Sequence, residues 1–163
     1  MTDMSLQDLY VDALWNLHAG ARVMLVDLRL IADTVADQEL AGAAYDYLAQ
    51  VHHRLQRLEA MLARFSAPAR VHAEEMETVT RHAVRYMASW GSGDVRDIAA
   101  GTVYRAAVHY MIPQYQLACA LARSLGYTTH AADLEPMREA LLASDEVMRH
   151  LVEQRINAHL AHV

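Results

Sequence analysis

Apolar residues recur every three and four positions along most of the chain, and breaks in that rhythm divide it into helices. Ser5 is followed by Leu6, Leu9, Leu14, Leu17, Ala21, Met24, Leu28 and Ile31, one buried stripe of a long helix with Ser5 as its cap. The rhythm fades at Asp33 and Thr34. Asp37 is placed to cap a second helix carrying Leu40, Ala44, Tyr47, Val51, Leu55, Leu58 and Leu62, which Ser66 and Pro68 end. A shorter helix is predicted from about Val71 to Trp90, and the segment WGSGD at 90–94 is the clearest break. Asp94 is placed to cap a long helix to Leu125, with Gly126 as its stop. A last helix takes in Leu134, Met137, Leu141, Met148 and Leu151 and reaches about His159. Pro136 falls in its first turns or marks its start. The pattern predicts an all-α bundle of four long helices. The short helix lies between the second and third of them, where it permits a long crossover.

Composition narrows the function classes. The 163 residues are enough for one domain, taken as 1–163, and are 54% hydrophobic with only 6 Gly and 3 Pro, a mix that favours helix. A net charge of −6 lacks the footprint of a nucleic-acid binder. Arg54, Arg57, Arg64 and Arg70 cluster along one stretch and are expected on a solvated face. The single cysteine, Cys119, sits among apolar neighbours and reads as a buried thiol of a reducing compartment. The start, MTDMSLQDLY, is not a signal peptide, and no run approaches the ~18 apolar residues of a membrane span. The expected setting is the cytoplasm.

The order and spacing of short motifs carry a resemblance. Leu9-Tyr10, Leu40, Leu48, Arg57, Met76-Glu77, Val95-Arg96-Asp97, His109-Tyr110, Tyr115, Leu125-Gly126-Tyr127 and Ser144-Asp145 together resemble the YciE/YciF-like family of bacterial ferritin-like proteins, over about residues 6–156. The resemblance implies a ferritin-like four-helix bundle with an extra short helix in the crossover, a stress-associated role and a dimer. It also implies inward carboxylates suited to a two-metal centre, and here the chain departs from the pattern. Ala21 stands where a first-helix Glu is expected. Ala49-Gln50-Val51 replaces Glu-Glu-Thr, and Val108-His109-Tyr110-Met111 replaces Glu-His-Tyr-Glu. A run of Glu gives way to Glu139-Ala140-Leu141-Leu142-Ala143. The former metal-site positions are therefore Ala21, Gln50, Val108, Met111 and Leu141. Without bridging carboxylates, ferroxidase or di-iron oxidase chemistry is not expected, and neither is a cofactor.

Four kinds of chemistry remain open. Gln50 and His53 share a helical face, and His53 with His18 and His109 offers three imidazoles for one transition-metal ion. Ala21 frees volume that Met24, Tyr104, Val108, Met111, Pro113, Tyr115, Met137 and Leu141 can line as a pocket for a small apolar ligand. His53, His109, Tyr110, Tyr115 and Asp145 offer a buried acid–base set. Association through a helical face, with a second copy or a paralogue, needs none of these. The favoured reading is a structural or binding protein with a degenerate metal site. Its alternative is a rebuilt site at the bundle centre. Pro113 deprives the His109 carbonyl of its helical partner and is expected to bend the helix beside that centre.

Overall fold

The computed structural model describes residues 5–66 and 74–162. Five helices follow one another: α1 (Leu6–Thr34), α2 (Gln38–Leu62), α3 (Glu74–Ala88), α4 (Asp94–Ser124) and α5 (Thr128–Ala161). No strand occurs among the described residues. Pro68 and the expected start of the short helix at 71–73 lie outside them.

Local chemistry explains most boundaries. Ser5 and Asp8 form a capping box, with Ser5 N–H donating to Asp8 Oδ2 at 2.8 Å and Asp8 N–H donating to Ser5 Oγ at 3.2 Å. The Asp37 carboxylate accepts from the Glu39 and Leu40 amides at 3.0 and 2.9 Å. At the end of α4, Gly126 takes φ +77° and Tyr127 N–H reaches back to the Ala122 carbonyl at 2.8 Å, a glycine-terminated stop. Asp94 departs from expectation. Gly93, at φ +90°, occupies the cap, and Asp94 is the first helical residue. Its carboxylate is taken by Arg155 Nη2 at 2.9 Å and His159 Nδ1 at 3.2 Å from α5. Pro136 lies inside α5, which begins earlier, at Thr128. The buried stripe of α1 begins at Tyr10, since Leu6 and Leu9 are exposed.

The long helices form a square in the order α1, α2, α5, α4, with α3 packed on α4 and α1. One end gathers the α1–α2 turn, the start of α4 and the end of α5. There Asp97 accepts from the Ala36 and Asp37 amides, and Arg155 pairs with Asp37 and Asp94. Adjacent long helices are therefore antiparallel, and the diagonal pair α2 and α4 point the same way. A chain leaving α2 must return along the bundle before α4 can begin, and α3 lies in that crossover.

The opposite end is an aromatic cluster of Tyr10, Phe65, Tyr127 and His130. Arg64 Nη1 faces His130 Nε2 at 3.4 Å and can only donate, so Nδ1 carries the proton and donates to Tyr10 Oη at 2.9 Å. Burial, then the Arg64 charge, pushes the His130 pKa below its ordinary 6.5. Between that lowered value and 6.5 the unfolded chain binds the proton and the folded chain does not. The contribution of His130 is thus present above pH 6.5 and lost as the pH falls through the folded value. The thermal midpoint should drop between pH 7 and pH 5, and His130→Gln should flatten that drop. An unchanged slope in the variant would assign the effect elsewhere.

Candidate functional site

The middle of the bundle is closed by four of the five residues that the sequence pattern places at its centre. Ala21 on α1, Val108 and Met111 on α4, and Leu141 on α5 are all buried. Met111 packs against Gly20, the neighbour of Ala21 in the chain. A Cβ built on Gly20 would lie 2.4 Å from Met111 Sδ, so the thioether rests on the α1 backbone itself. The fifth position does not join them. Gln50 is exposed, and so is His53. One residue turns a helix by about 100°, and the face of α2 that points inward is one residue later. It carries Tyr47, Val51, Arg54 and Leu58.

Arg54 is the residue that sequence reasoning missed. It was grouped with Arg57, Arg64 and Arg70 as solvated, but only 5% of it is exposed. Arg57 and Arg64 are exposed, and Arg70 lies outside the described residues. The signal was present in the spacing, because Arg54 continues the inward series Ala44, Tyr47, Val51 and leads to Leu58. Its guanidinium lies 4.7 Å from the Tyr47 ring centre, and Nη2 donates to Gln50 Oε1 at 3.0 Å. Nη1 is buried and has no hydrogen-bond partner.

Three buried phenols surround this cation. The Tyr47 and Tyr104 rings meet edge to face with centres 5.8 Å apart. Tyr104 Oη bonds Ser144 Oγ, whereas Tyr47 Oη has Met24 Sδ at 3.7 Å and Tyr115 Oη has Met137 Sδ at 4.0 Å. Burial pushes the pKa of Tyr104 and of Tyr115 up to about 12, and that of Tyr47 higher still, while the Arg54 charge opposes each rise. The phenols are therefore protonated at neutral pH.

The histidines do not converge. His18 Nε2 bonds Glu59 Oε1 at 3.1 Å and sits edge-on to Trp15. His53 is exposed beside His52. His109 is exposed and bonds Asp145 Oδ2 at 2.8 Å. Among the described residues, no group of three or more His, Cys, Asp or Glu is placed to hold a metal ion. The site built on His18, His53 and His109 is not assembled, because three imidazoles on three outward or flanking faces cannot meet at one ion. The acid–base set divides likewise. His109, Asp145 and Arg105, whose Nε is 2.8 Å from Asp145 Oδ1, form a surface network. Tyr115 is buried, Tyr110 is half-buried on the flank of α4, and His53 belongs to neither group.

The pocket expectation is corrected in one member, and the clefts that do open lie elsewhere. Met24, Tyr104, Tyr115 and Met137 are buried in the centre, but Pro113 is exposed. It stands one turn beyond His109 on the outer face of an α4 that continues through it, so it lines no central wall. One cleft of about 510 Å³ opens between α2 and α5 over Tyr47, Gln50, Ala140, Ser144 and Val147. Another, of about 690 Å³, lies between α1 and α3 over Trp15, His18, Val26, Thr80 and Arg85. Ala21, Val108 and Met111 line neither. Gln50 bonds Arg54, and Ser144 bonds Tyr104, so the floor of the first cleft is the outer layer of the central cluster. Cys119 is a buried free thiol, and burial raises its pKa.

No helix is long and apolar enough to cross a membrane among the described residues. No curated protein matches the chain. Its fold is similar to that of the E. coli stress protein YciF, with a TM-score of 0.87 and 23% identity over 96% of this chain and 99% of that one. It is also similar to YcfI of Rhodopseudomonas palustris, provisionally described as a structural protein, with a TM-score of 0.84 and 17% identity over 91% of this chain and 95% of that one. A family model described as a domain of unknown function, DUF892, matches residues 5–161, and the chain belongs to that family, in keeping with the YciF-like motifs.

Proposed function

We propose that this protein is a ferritin-like, stress-associated structural or binding protein whose bundle centre has lost two-metal chemistry. The observation that carries the reading is the set of inward residues: Ala21, Val51, Arg54, Val108, Met111 and Leu141, with no carboxylate among them. A two-metal centre in such a bundle needs a Glu from each of two helices and a Glu-x-x-His step from each of the other two. Here the inward steps are Val51-x-x-Arg54 and Val108-x-x-Met111. Arg54 adds a positive charge where cations would have to sit. Two unit charges 4 Å apart repel by about 4 kcal/mol at an effective dielectric near 20. These residues do not fit a pair of metal ions.

The names of YciF and YcfI favour a stress-associated or structural role, and a cytoplasmic homodimer, or a pair with a paralogue, suits it. Purified protein should carry no stoichiometric transition metal. Ferrous iron added in air should oxidise no faster with it than in buffer alone. One or two tightly bound ions per chain, or catalysed iron oxidation, would overturn the reading.

A further inference from the structure

Helix α1 is apolar on two sides. Its inward stripe, which includes Leu14, Leu17, Met24, Leu28 and Ile31, is buried. Trp15, Ala19, Val23, Val26 and Leu30 form a second stripe at the same spacing, nearly opposite the first. A surface helix usually carries polar residues on that side. Helix α3 covers the second stripe only in part. Trp15, Ala19 and Val23 are half-buried, but Val26 is 70% exposed and Leu30 45%. What remains between α1 and α3 is the cleft of about 690 Å³, a size within the range of small-molecule sites. The charges around it set its preference. Arg22, Arg81 and Arg85 line the cleft against Asp27 and Glu77, in a chain whose net charge is −6. Elsewhere Arg29, Arg57, Arg105, Arg123, Arg149 and Arg155 each meet a carboxylate. Arg22 and Arg85 have no ion pair or hydrogen bond among the described residues, and Arg81 has only Glu77, at 4.0 Å.

We propose that the cleft between α1 and α3 binds a small amphipathic anion, a medium-length acyl chain ending in one carboxylate. The chain lies on Val23, Val26, Leu30 and Val84 and removes their apolar surface from water. The unpaired guanidinium groups on the two walls, Arg22 on α1 and Arg85 on α3, draw the head to the cleft. Three arginines against two carboxylates leave an excess of one positive charge, which suits a single anionic head. Nothing has to open for the ligand to enter, since Val26 and Leu30 already face solvent. Ala21, Val108 and Met111 line none of this cleft, so the site is separate from the bundle centre and independent of whether that centre holds metal.

Trp15 lines the cleft, edge-on to His18, and its emission reports on what fills the space. The second tryptophan, Trp90, does not line it. The test is a titration of the full chain, carrying Trp90→Phe, with sodium decanoate below its micelle concentration. Decanol, decyltrimethylammonium and butyrate serve as the comparisons. Decanoate should change the Trp15 emission saturably and, at about tenfold excess over its dissociation constant, raise the thermal midpoint by roughly 4 °C. Decanol should bind about tenfold more weakly, and the cation and butyrate should give no response. Arg22→Gln combined with Arg85→Gln should erase the advantage of decanoate over decanol. Both side chains are exposed, so the midpoint of the free protein should hold. Val26→Glu, also at an exposed position, should weaken decanoate by about tenfold. Equal binding of decanoate and decanol, an unchanged decanoate affinity in the double arginine variant, or no saturable response would overturn the proposal. A dimer in sedimentation that Val26→Glu splits, with no decanoate response in the parent chain, would also overturn it, by placing a second copy over the cleft.

Discussion

Replacing Asp97 by Ala is expected to lower the stability of the bundle by about 2–3 kcal/mol, through the loss of two charge-assisted hydrogen bonds at one end of the fold. Asp97 is fully buried, and its two carboxylate oxygens receive the Ala36 amide at 3.1 Å and the Asp37 amide at 2.8 Å. Those amides belong to the turn between α1 and α2. The same carboxylate sits in the first turn of α4, where a negative charge suits the helix dipole. Next to it, Arg96 Nη2 donates to the Thr34 carbonyl at 3.1 Å, which satisfies the open end of α1. The Val-Arg-Asp motif thus holds three helices at one corner. Asp37, once positioned, caps α2 with its own carboxylate and pairs with Arg155 of α5 at 2.9 Å. Urea denaturation is the measurement. Asp97→Asn keeps the volume and one acceptor but turns an NH2 toward the other amide N–H, so it should lose about as much as Asp97→Ala. A loss below about 1 kcal/mol in the alanine variant would mean that water replaces the carboxylate.

The helices and most of their ends were legible because they depend on local chemistry. Ser5, Asp37 and Gly126 each act within a few residues of where they stand, and the three-and-four rhythm reports burial directly. Asp94 was misread because its partners, Arg155 and His159, lie more than sixty residues away and no local pattern announces them. The centre was harder for the same reason. Ala21, Val108, Met111 and Leu141 are buried, as the three-and-four rhythm implies, but Gln50 and His53 lie one residue out of phase with the inward face of α2. That slip of about 100° moved an expected histidine ligand to the surface and hid Arg54. A charged residue on an apolar stripe was discounted because charges are mostly exposed, and the spacing was the better guide. Pro113 is expected beside the centre because the bend it causes would reshape that wall, yet it lies on the exposed face of α4.

Gly101→Val should destabilise the protein by about 3 kcal/mol, because α4 and α5 approach one another through that glycine. A Cβ built there would lie 2.3 Å from Val152 Cγ2 of α5, with Met148 Sδ at 3.5 Å and Leu40 Cδ2 at 3.7 Å. No real Cβ sits so close to a methyl group, and a valine side chain has one favoured rotamer in a helix and cannot swing away. The helices must move apart or Val152 must leave its place. Helix propensity works the other way, since glycine inside a helix costs roughly 1 kcal/mol relative to alanine. Gly101→Ala should therefore lose less, about 1–2 kcal/mol, despite the same Cβ. Gly20 offers a contrast. Its built Cβ meets the far end of Met111, a flexible side chain, so Gly20→Ala should be the milder change. The decisive measurement is a double-mutant cycle. Val152→Ala removes the opposing methyl groups, and in that background Gly101→Val should recover more than half of its loss as a coupling between the two sites. Additive losses would place the damage somewhere other than the contact between Gly101 and Val152.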